Sequence, residues 1–126
     1  MLNGGNTMTL KEAITTAIGA HGKWKTKFRE FMDGKLELDA ATVQKNNVCD
    51  FGKWLEGDGK QALVAGDYQQ IHRLHTEFHS KAASVISMKK TGDVAGAEKA
   101  LALGGAFTDA SGALTRVMMD VSKRAA

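Results

Sequence analysis

Residues 67–90 read DYQQIHRLHTEFHSKAASVISMKK and contain three of the four histidines of the chain. At 100° per residue, the apolar side chains of this segment fall on one face of a helix and most of the charged ones on the other. The apolar face consists of Tyr68, Ile71, His75, Phe78, Ala82, Val85 and Ile86. The pattern predicts an amphipathic helix, capped by Asp67, with a histidine on its inner face.

His79 follows His75 by about one helical turn at the edge of the same face, so their Cβ atoms are expected about 5 to 6 Å apart. This spacing suits two ligands of one metal ion, whereas His72 lies further round the helix and is left out of the ligand set. A single core histidine is more simply explained by hydrogen bonds to backbone or carboxylate groups, without a metal. A pair on an apolar face favours a shared cation, because both rings need partners where polar groups are few.

The composition favours one all-α domain. The chain has 126 residues, no proline and only 6% aromatic residues, which suits long helices better than a turn-rich β architecture. The net charge is +3, but the basic residues alternate with acids. A nucleic-acid groove would need clustered basic residues with aromatic ones between them, so we expect no nucleic-acid partner.

The single cysteine indicates the redox state of the compartment in which the protein is found. Cys49 has no second cysteine with which to form an intramolecular disulfide, which favours a reducing compartment. The start of the chain does not resemble a signal peptide, and no run of about 18 apolar residues predicts a membrane span. We expect a cytoplasmic protein without membrane insertion, with a flexible N-terminal segment at residues 1–8 and one domain at residues 9–126.

Another inward histidine is predicted near the N-terminus. Thr9 and Glu12 have the spacing of a capping box. The apolar residues that follow, at spacings of three and four, predict one long helix that ends at Asp33 and Gly34 and whose inner face contains Leu10, Ile14, Ala17, His21, Trp24, Phe28 and Phe31. His21 is therefore expected in the core.

The sequence pattern in the middle of the chain predicts short helices and turns. Asp39 is a candidate cap for a short helix through residues 40–45. Cys49 opens a second short helix, which Phe51, Trp54 and Leu55 can anchor to the core. The glycines of residues 57–66 predict turns before the histidine helix.

The last third predicts a compact connection and a long helix. The histidine helix is expected to end at Thr91 and Gly92, and Asp93 caps the next helix. That helix is expected to continue through Gly104, Gly105 and Gly112, with an apolar face of Ala100, Leu103, Phe107, Ala110, Leu114, Val117 and Val121. The predicted fold is all-α: an antiparallel four-helix bundle with a short extra helix that carries Cys49.

His21, His75 and His79 are all predicted to point inward, and Cys49 is the natural fourth ligand. Three imidazoles and a thiolate suit tetrahedral zinc, and a filled shell leaves no open position for a catalytic water. The segment HTEFH also lacks the glutamate that metalloproteases carry directly after the first histidine. A di-iron bundle of the haemerythrin type needs more inward carboxylates, so we expect a protein that is not an enzyme.

Three blocks of the sequence resemble the chemoreceptor zinc-binding (CZB) domain family. The family pattern His-x-x-aromatic is filled by residues 21–24, Cys-x-apolar-Gly-x-apolar by residues 49–54, and His-x-x-x-His by residues 75–79. The resemblance extends from about residue 9 to residue 121. It implies a helical, zinc-binding sensory module that tends to form homodimers, with His21, Cys49, His75 and His79 as the zinc ligands.

The resemblance also implies a partner, because such modules accompany chemoreceptor signalling domains or diguanylate cyclases, or stand alone. Two sensing roles stay open. In the first, zinc occupancy is itself the signal. In the second, the zinc-bound thiolate of Cys49 senses oxidants of the hypochlorous acid type, as related domains are implicated in doing. The alternative is a permanently metallated structural scaffold or dimerisation module that does not sense.

Overall fold

The computed structural model describes residues 9–45 and 50–124. These residues form eight α-helices: α1 (Leu10–Gly22), α2 (Trp24–Met32), α3 (Ala40–Gln44), α4 (Asp50–Glu56), α5 (Asp58–Ala62), α6 (Ala65–Lys90), α7 (Val94–Leu101) and α8 (Ala106–Arg124). No strand occurs in these residues. The all-α helical bundle expected from the composition is confirmed, while its description as four antiparallel helices stays a prediction.

The predicted cap at Thr9 is confirmed. The Thr9 side chain accepts a hydrogen bond from the Glu12 backbone, and the Glu12 carboxylate accepts one from the Thr9 backbone. The expected single helix from there to residue 33 is wrong, because it is divided at Lys23 into α1 and α2. The apolar spacing did not show this division, since Trp24, Phe28 and Phe31 still pack against or within the same core.

The centre of the bundle is α6, against which α3, α7 and α8 pack. Its start differs from the prediction: α6 begins at Ala65, with Val64 as its N-cap, and Asp67 lies in the first turn. Asp67 is therefore not the cap, and its carboxylate instead accepts two hydrogen bonds from Arg124, at 3.0 and 3.1 Å. The expected inner face is otherwise confirmed, with Ile71, His75 and Phe78 buried.

The connection after α6 has the predicted form. Gly92 has a φ of +94°, a left-handed conformation that glycine adopts without a Cβ clash. The Asp93 side chain then accepts a hydrogen bond from the Gly96 backbone at 2.9 Å and caps α7. The turn folds α7 back so that it packs against α6.

The expected long final helix is wrong, because residues 102–105 separate α7 from α8. A Cβ on Gly105 would clash with the carbonyl groups of Lys99 and Ala100, and Gly104 has a φ of +81°. Leu103 lies in this connection and is 99% exposed. In α8, Phe107, Leu114 and Val121 of the predicted face are buried, together with Met118, which the prediction did not include. Helix α5 is also unexpected, since its segment was predicted to be turns.

The core combines aliphatic side chains with a group of phenylalanine rings. The rings of Phe28 and Phe107 lie 4.9 Å apart between centroids, and those of Phe78 and Phe107 lie 5.2 Å apart. These rings join α2, α6 and α8 next to the histidines of α1 and α6. No helix among the described residues is long and apolar enough to cross a membrane.

Candidate metal centre

Three histidines from two helices meet inside the bundle. His21 comes from the last turn of α1, and His75 and His79 come from the middle of α6. Their side chains are only 5%, 1% and 3% exposed, respectively. One ring nitrogen from each lies within 4.8 Å of those of the other two, close enough to hold one metal ion. The sequence prediction that these three histidines point inward and converge is therefore correct.

A backbone carbonyl of α1 orients His21. Its Nδ1 lies 2.7 Å from the carbonyl oxygen of Ala17, one turn earlier. Since a carbonyl oxygen only accepts, Nδ1 carries the proton and donates, which leaves the lone pair on Nε2 of the neutral ring. The backbone of α1 therefore selects the tautomer that can bind a metal through Nε2.

A carbonyl from a different helix orients His79. Its Nδ1 donates to the carbonyl oxygen of Val43 in α3, at 2.8 Å. The same reasoning leaves a lone pair on Nε2, so α3 selects the metal-binding tautomer of a residue on α6. The short helix is thus part of the site, although none of its side chains was predicted to be a ligand.

The Nε2 atoms of His75 and His79 lie 3.0 Å apart. Because Nε2 of His79 holds a lone pair, a hydrogen bond between the two atoms would need a proton on Nε2 of His75, and a metal bound there would replace that proton. Two nitrogens bound to one tetrahedral zinc at 2.0 to 2.1 Å would lie about 3.3 Å apart. The two rings are therefore close to the separation that a shared zinc ion requires, and small ring movements would admit it.

Aromatic rings pack around His21 and His75. The ring of His21 meets those of Phe51 and Phe78 edge to face, with centroids 5.8 and 4.7 Å apart. The ring of His75 meets Phe51 in the same way at 5.1 Å. Such an environment strengthens electrostatic interactions and disfavours an uncompensated charge.

Burial keeps these imidazoles neutral. It lowers the pKa of His21 to about 4, against which the hydrogen bond to Ala17 acts in the opposite direction. It lowers the pKa of His75 to about 3, with further contributions from the neighbouring histidines, and it also lowers the pKa of His79. The lowered pKa values favour the neutral form of all three rings, which is the form that binds a metal.

The other residues considered in the sequence analysis are either outside the described residues or outside the histidine cluster. Cys49 lies outside the described residues, and its role as the fourth ligand stays a prediction; the next residue, Asp50, begins α4. His72 is half-buried beside the ring of Tyr68, 5.7 Å between centroids, and is not a member of the histidine cluster. Glu77 is exposed and pairs with Arg73.

Sequence reasoning missed the carbonyl groups of Ala17 and Val43. They are backbone atoms, so no residue type marks them. The contact between His21 and Ala17 could have been found from the helical spacing of four residues, whereas the contact with Val43 depends on how α3 packs against α6.

The comparisons with known proteins agree with this geometry. A family model described as the chemoreceptor zinc-binding domain matches residues 21–86. The matched segment covers just over half of the chain and contains all three clustered histidines together with Cys49. Searches of curated proteins and of solved structures find no significant match.

Proposed function

Because the chain belongs to the chemoreceptor zinc-binding domain family, we propose that it is a regulatory domain that binds one zinc ion and reports zinc level or oxidant to a signalling partner. The proposed ligands are Nε2 of His21, the ring nitrogens of His75 and His79 that face it, and the thiolate of Cys49. Bound zinc would supply a cross-link between helices and would hold that thiol deprotonated.

One observation carries the proposal: three buried histidines converge, and backbone carbonyls fix two of them in the metal-binding tautomer. Buried histidines with purely structural roles have no need to direct their coordinating nitrogens to a common point. The donor set also fits zinc in particular, since imidazole and thiolate are its usual protein ligands. Four protein ligands would leave no open position, which supports a role without catalysis.

The first experiment measures the zinc content of the purified protein by mass spectrometry. We expect about one zinc per chain in the unmodified protein, and a clear decrease in Cys49→Ala and His79→Ala. His72→Ala is the matched control, because it removes a histidine of the same helix that lies outside the cluster. A protein without zinc, or equal losses in His72→Ala and His79→Ala, would contradict the proposal.

The oxidant version of the role depends on Cys49, the only cysteine of the chain. Its thiolate would attack the chlorine atom of hypochlorous acid, which forms a sulfenyl chloride and releases hydroxide. Water would then displace chloride from the sulfur to give sulfenic acid. Sulfenic acid is a weaker zinc ligand, so the segment between α3 and α4 would be released from the metal. With no second cysteine, the product would not be trapped as an intramolecular disulfide.

The oxidant and zinc-level versions differ in one measurement. After one equivalent of hypochlorous acid, oxidant sensing predicts a sulfenic acid at Cys49 and a loss of zinc. If the six methionines are oxidised while Cys49 and the zinc are retained, oxidant sensing is excluded. Titration in zinc buffers then tests zinc sensing, which requires reversible occupancy at the free zinc concentrations of a cell.

A permanently metallated scaffold is the second candidate, and the geometry of His79 favours it. The ring is already held by a carbonyl of α3 and by contact with His75, so zinc would mainly stabilise an existing arrangement. Zinc that survives oxidant and never dissociates in zinc buffers would support this role over sensing.

The proposed setting is cytoplasmic. The proposed partners are a second copy of the chain in a homodimer, and a chemoreceptor signalling domain or a diguanylate cyclase on the same or another chain. This part of the proposal rests on the family. Co-purification of such a domain, with a response that disappears in His79→Ala, would test it.

A further inference from the structure

A cavity of about 280 Å³ opens beside the candidate metal centre, between α1 and α2 on one side and α4 on the other. Its floor consists of the buried residues Ala13, Ala17, His21, Phe51 and His79. The half-buried rings of Trp24 and Trp54 line it from two different helices. His21 and His79 also belong to the candidate metal centre, so the cavity and the centre share a wall.

The cavity exists because small side chains face large flat ones. The wall formed by α1 contains Ala13, Thr16, Ala17 and Ala20, successive positions on one helix face, and none of these side chains reaches across. The opposite wall contains Phe51 and Trp54, whose rings are stacked at 5.8 Å with an interplanar angle of 21°. Protein interiors are normally close-packed, so an aromatic-lined space of this size is unusual.

Apart from Thr16 and the two neutral histidines of the floor, the polar lining residues lie at the mouth. Lys27 lies there with its ammonium group 4.7 Å from the centroid of the Trp24 ring, and Asp50 lies on the side of α4. The interior offers flat rings and methyl groups, which favour an uncharged, planar guest. The volume is far too small for a helix of a partner protein and is comparable to that of one aromatic ring with its surrounding contact space.

We propose that this cavity is a binding site for a small, uncharged aromatic molecule, which lies between the α1 alanines and the rings of Trp24, Phe51 and Trp54. The guest would pack against the ring of His21 at the floor. The site adds to the proposed zinc function, with which it shares His21 and His79. Its occupancy does not depend on the identity of the signalling partner.

The test uses fluorobenzene as the probe and the zinc-loaded full chain as the protein. The only two tryptophans of the chain both line the cavity, so their emission reports directly on the site. We expect saturable ¹⁹F line broadening of the probe together with a saturable change in tryptophan emission, both fitting one dissociation constant.

Ala20→Leu provides the blocking variant. Ala20 is exposed at the cavity rim on α1, so leucine can extend into the space without disturbing the core. We expect fluorobenzene to bind at least about tenfold more weakly to this variant. Ala95→Leu is the matched control, an exposed alanine in α7 remote from the cavity lining, and it should bind the probe like the unmodified chain.

Two results would overturn the proposal. One is the absence of saturable binding, or equal affinity in Ala20→Leu and the unmodified chain. The other is tryptophan emission that changes on dilution without the probe, which would show that a second copy covers the site. Zinc content is measured in the same samples, so a chain that holds zinc but does not bind the probe would exclude the cavity proposal and leave the metal site standing.

Discussion

At the scale of single residues, zinc binding and stability both depend on three neutral histidines in an apolar environment. His21, His75 and His79 are buried among aromatic rings, and burial is the main reason that their pKa values are lowered. Each ring has a lone pair available to a metal only while it stays neutral. Acid therefore opposes both zinc binding and the fold itself.

The stability of the metal-free chain should depend on pH in a definite direction. The unfolded state binds protons at the histidines below about pH 6.5, while folded His21 and His75 bind them only near 4 and 3. Between these values the unfolded state holds more protons, so the free energy of unfolding rises with pH. We expect each of these two histidines to contribute a loss of about 2 kcal/mol between pH 7 and pH 5.

Urea unfolding of the metal-free protein at a series of pH values measures how steeply the free energy of unfolding rises with pH. His75→Asn should reduce it, because the substituted side chain does not titrate. His72→Asn should leave it nearly unchanged, since His72 lies outside the buried cluster. A free energy of unfolding that is constant between pH 5 and pH 7 would show that the histidines are not buried as described.

At the scale of secondary structure, the short helix α3 has more influence on the metal centre than its five residues suggest. It packs against α6 and supplies the Val43 carbonyl that orients His79. The helix in turn depends on its cap: the Asp39 carboxylate accepts hydrogen bonds from the backbone and the hydroxyl group of Thr42, at 3.0 and 2.7 Å. An isolated helix of this length would not be stable, so packing and cap together hold it.

Removing this cap should therefore affect zinc binding. In Asp39→Ala we expect a loss of about 1 kcal/mol in the stability of the protein and a weaker affinity for zinc, because the His79 ring loses its fixed orientation. Asp93→Ala removes the equivalent cap of α7, away from the metal centre. It should cost a similar amount of stability without changing zinc affinity. Competition with a chromophoric chelator measures both affinities, and an equal effect of the two substitutions would contradict the role of α3.

At the scale of the whole molecule, one ion pair joins distant parts of the chain. Arg124, near the end of α8, forms two hydrogen bonds with Asp67 in the first turn of α6 and also pairs with Asp120. The pair connects the helix that carries two candidate ligands to the last described turn of the chain. Asp67 is the more buried of the two acids, with its side chain 18% exposed against 69% for Asp120.

This ion pair should contribute modestly to the free energy of unfolding, and its contribution should decrease as the salt concentration rises. We expect Asp67→Asn to lower the free energy of unfolding by up to about 1 kcal/mol at low ionic strength, and by less at 1 M salt, because Arg124 is half exposed. Asp120→Asn is the comparison and should have a smaller effect, since that acid is mostly exposed. Thermal unfolding at two salt concentrations measures both, and an effect that is independent of salt would indicate a packing role instead.

The helical class and most of the candidate site are predictable from the amino-acid pattern alone. A repeating apolar pattern at spacings of three and four places His21, His75 and His79 on inner faces, because a helix fixes which residues share a side. The caps at Thr9, Asp39 and Asp93 were also predictable, since each depends on contacts within three residues. These are local properties, and local sequence is sufficient to specify them.

The points at which the helices divide and the contacts that hold the histidines depend on the packing of the folded chain. The breaks at Lys23 and at residues 102–105 leave no interruption in the apolar pattern, and the close approach of Gly105 to α7 becomes visible only when the chain is folded. Asp67 has the sequence pattern of a cap, but its partner is 57 residues away in Arg124. The Val43 carbonyl selects the tautomer of His79 through a contact between two helices. Such interactions join backbone or side-chain atoms that are distant in sequence, so the packing of the helices, and not any local pattern, determines them.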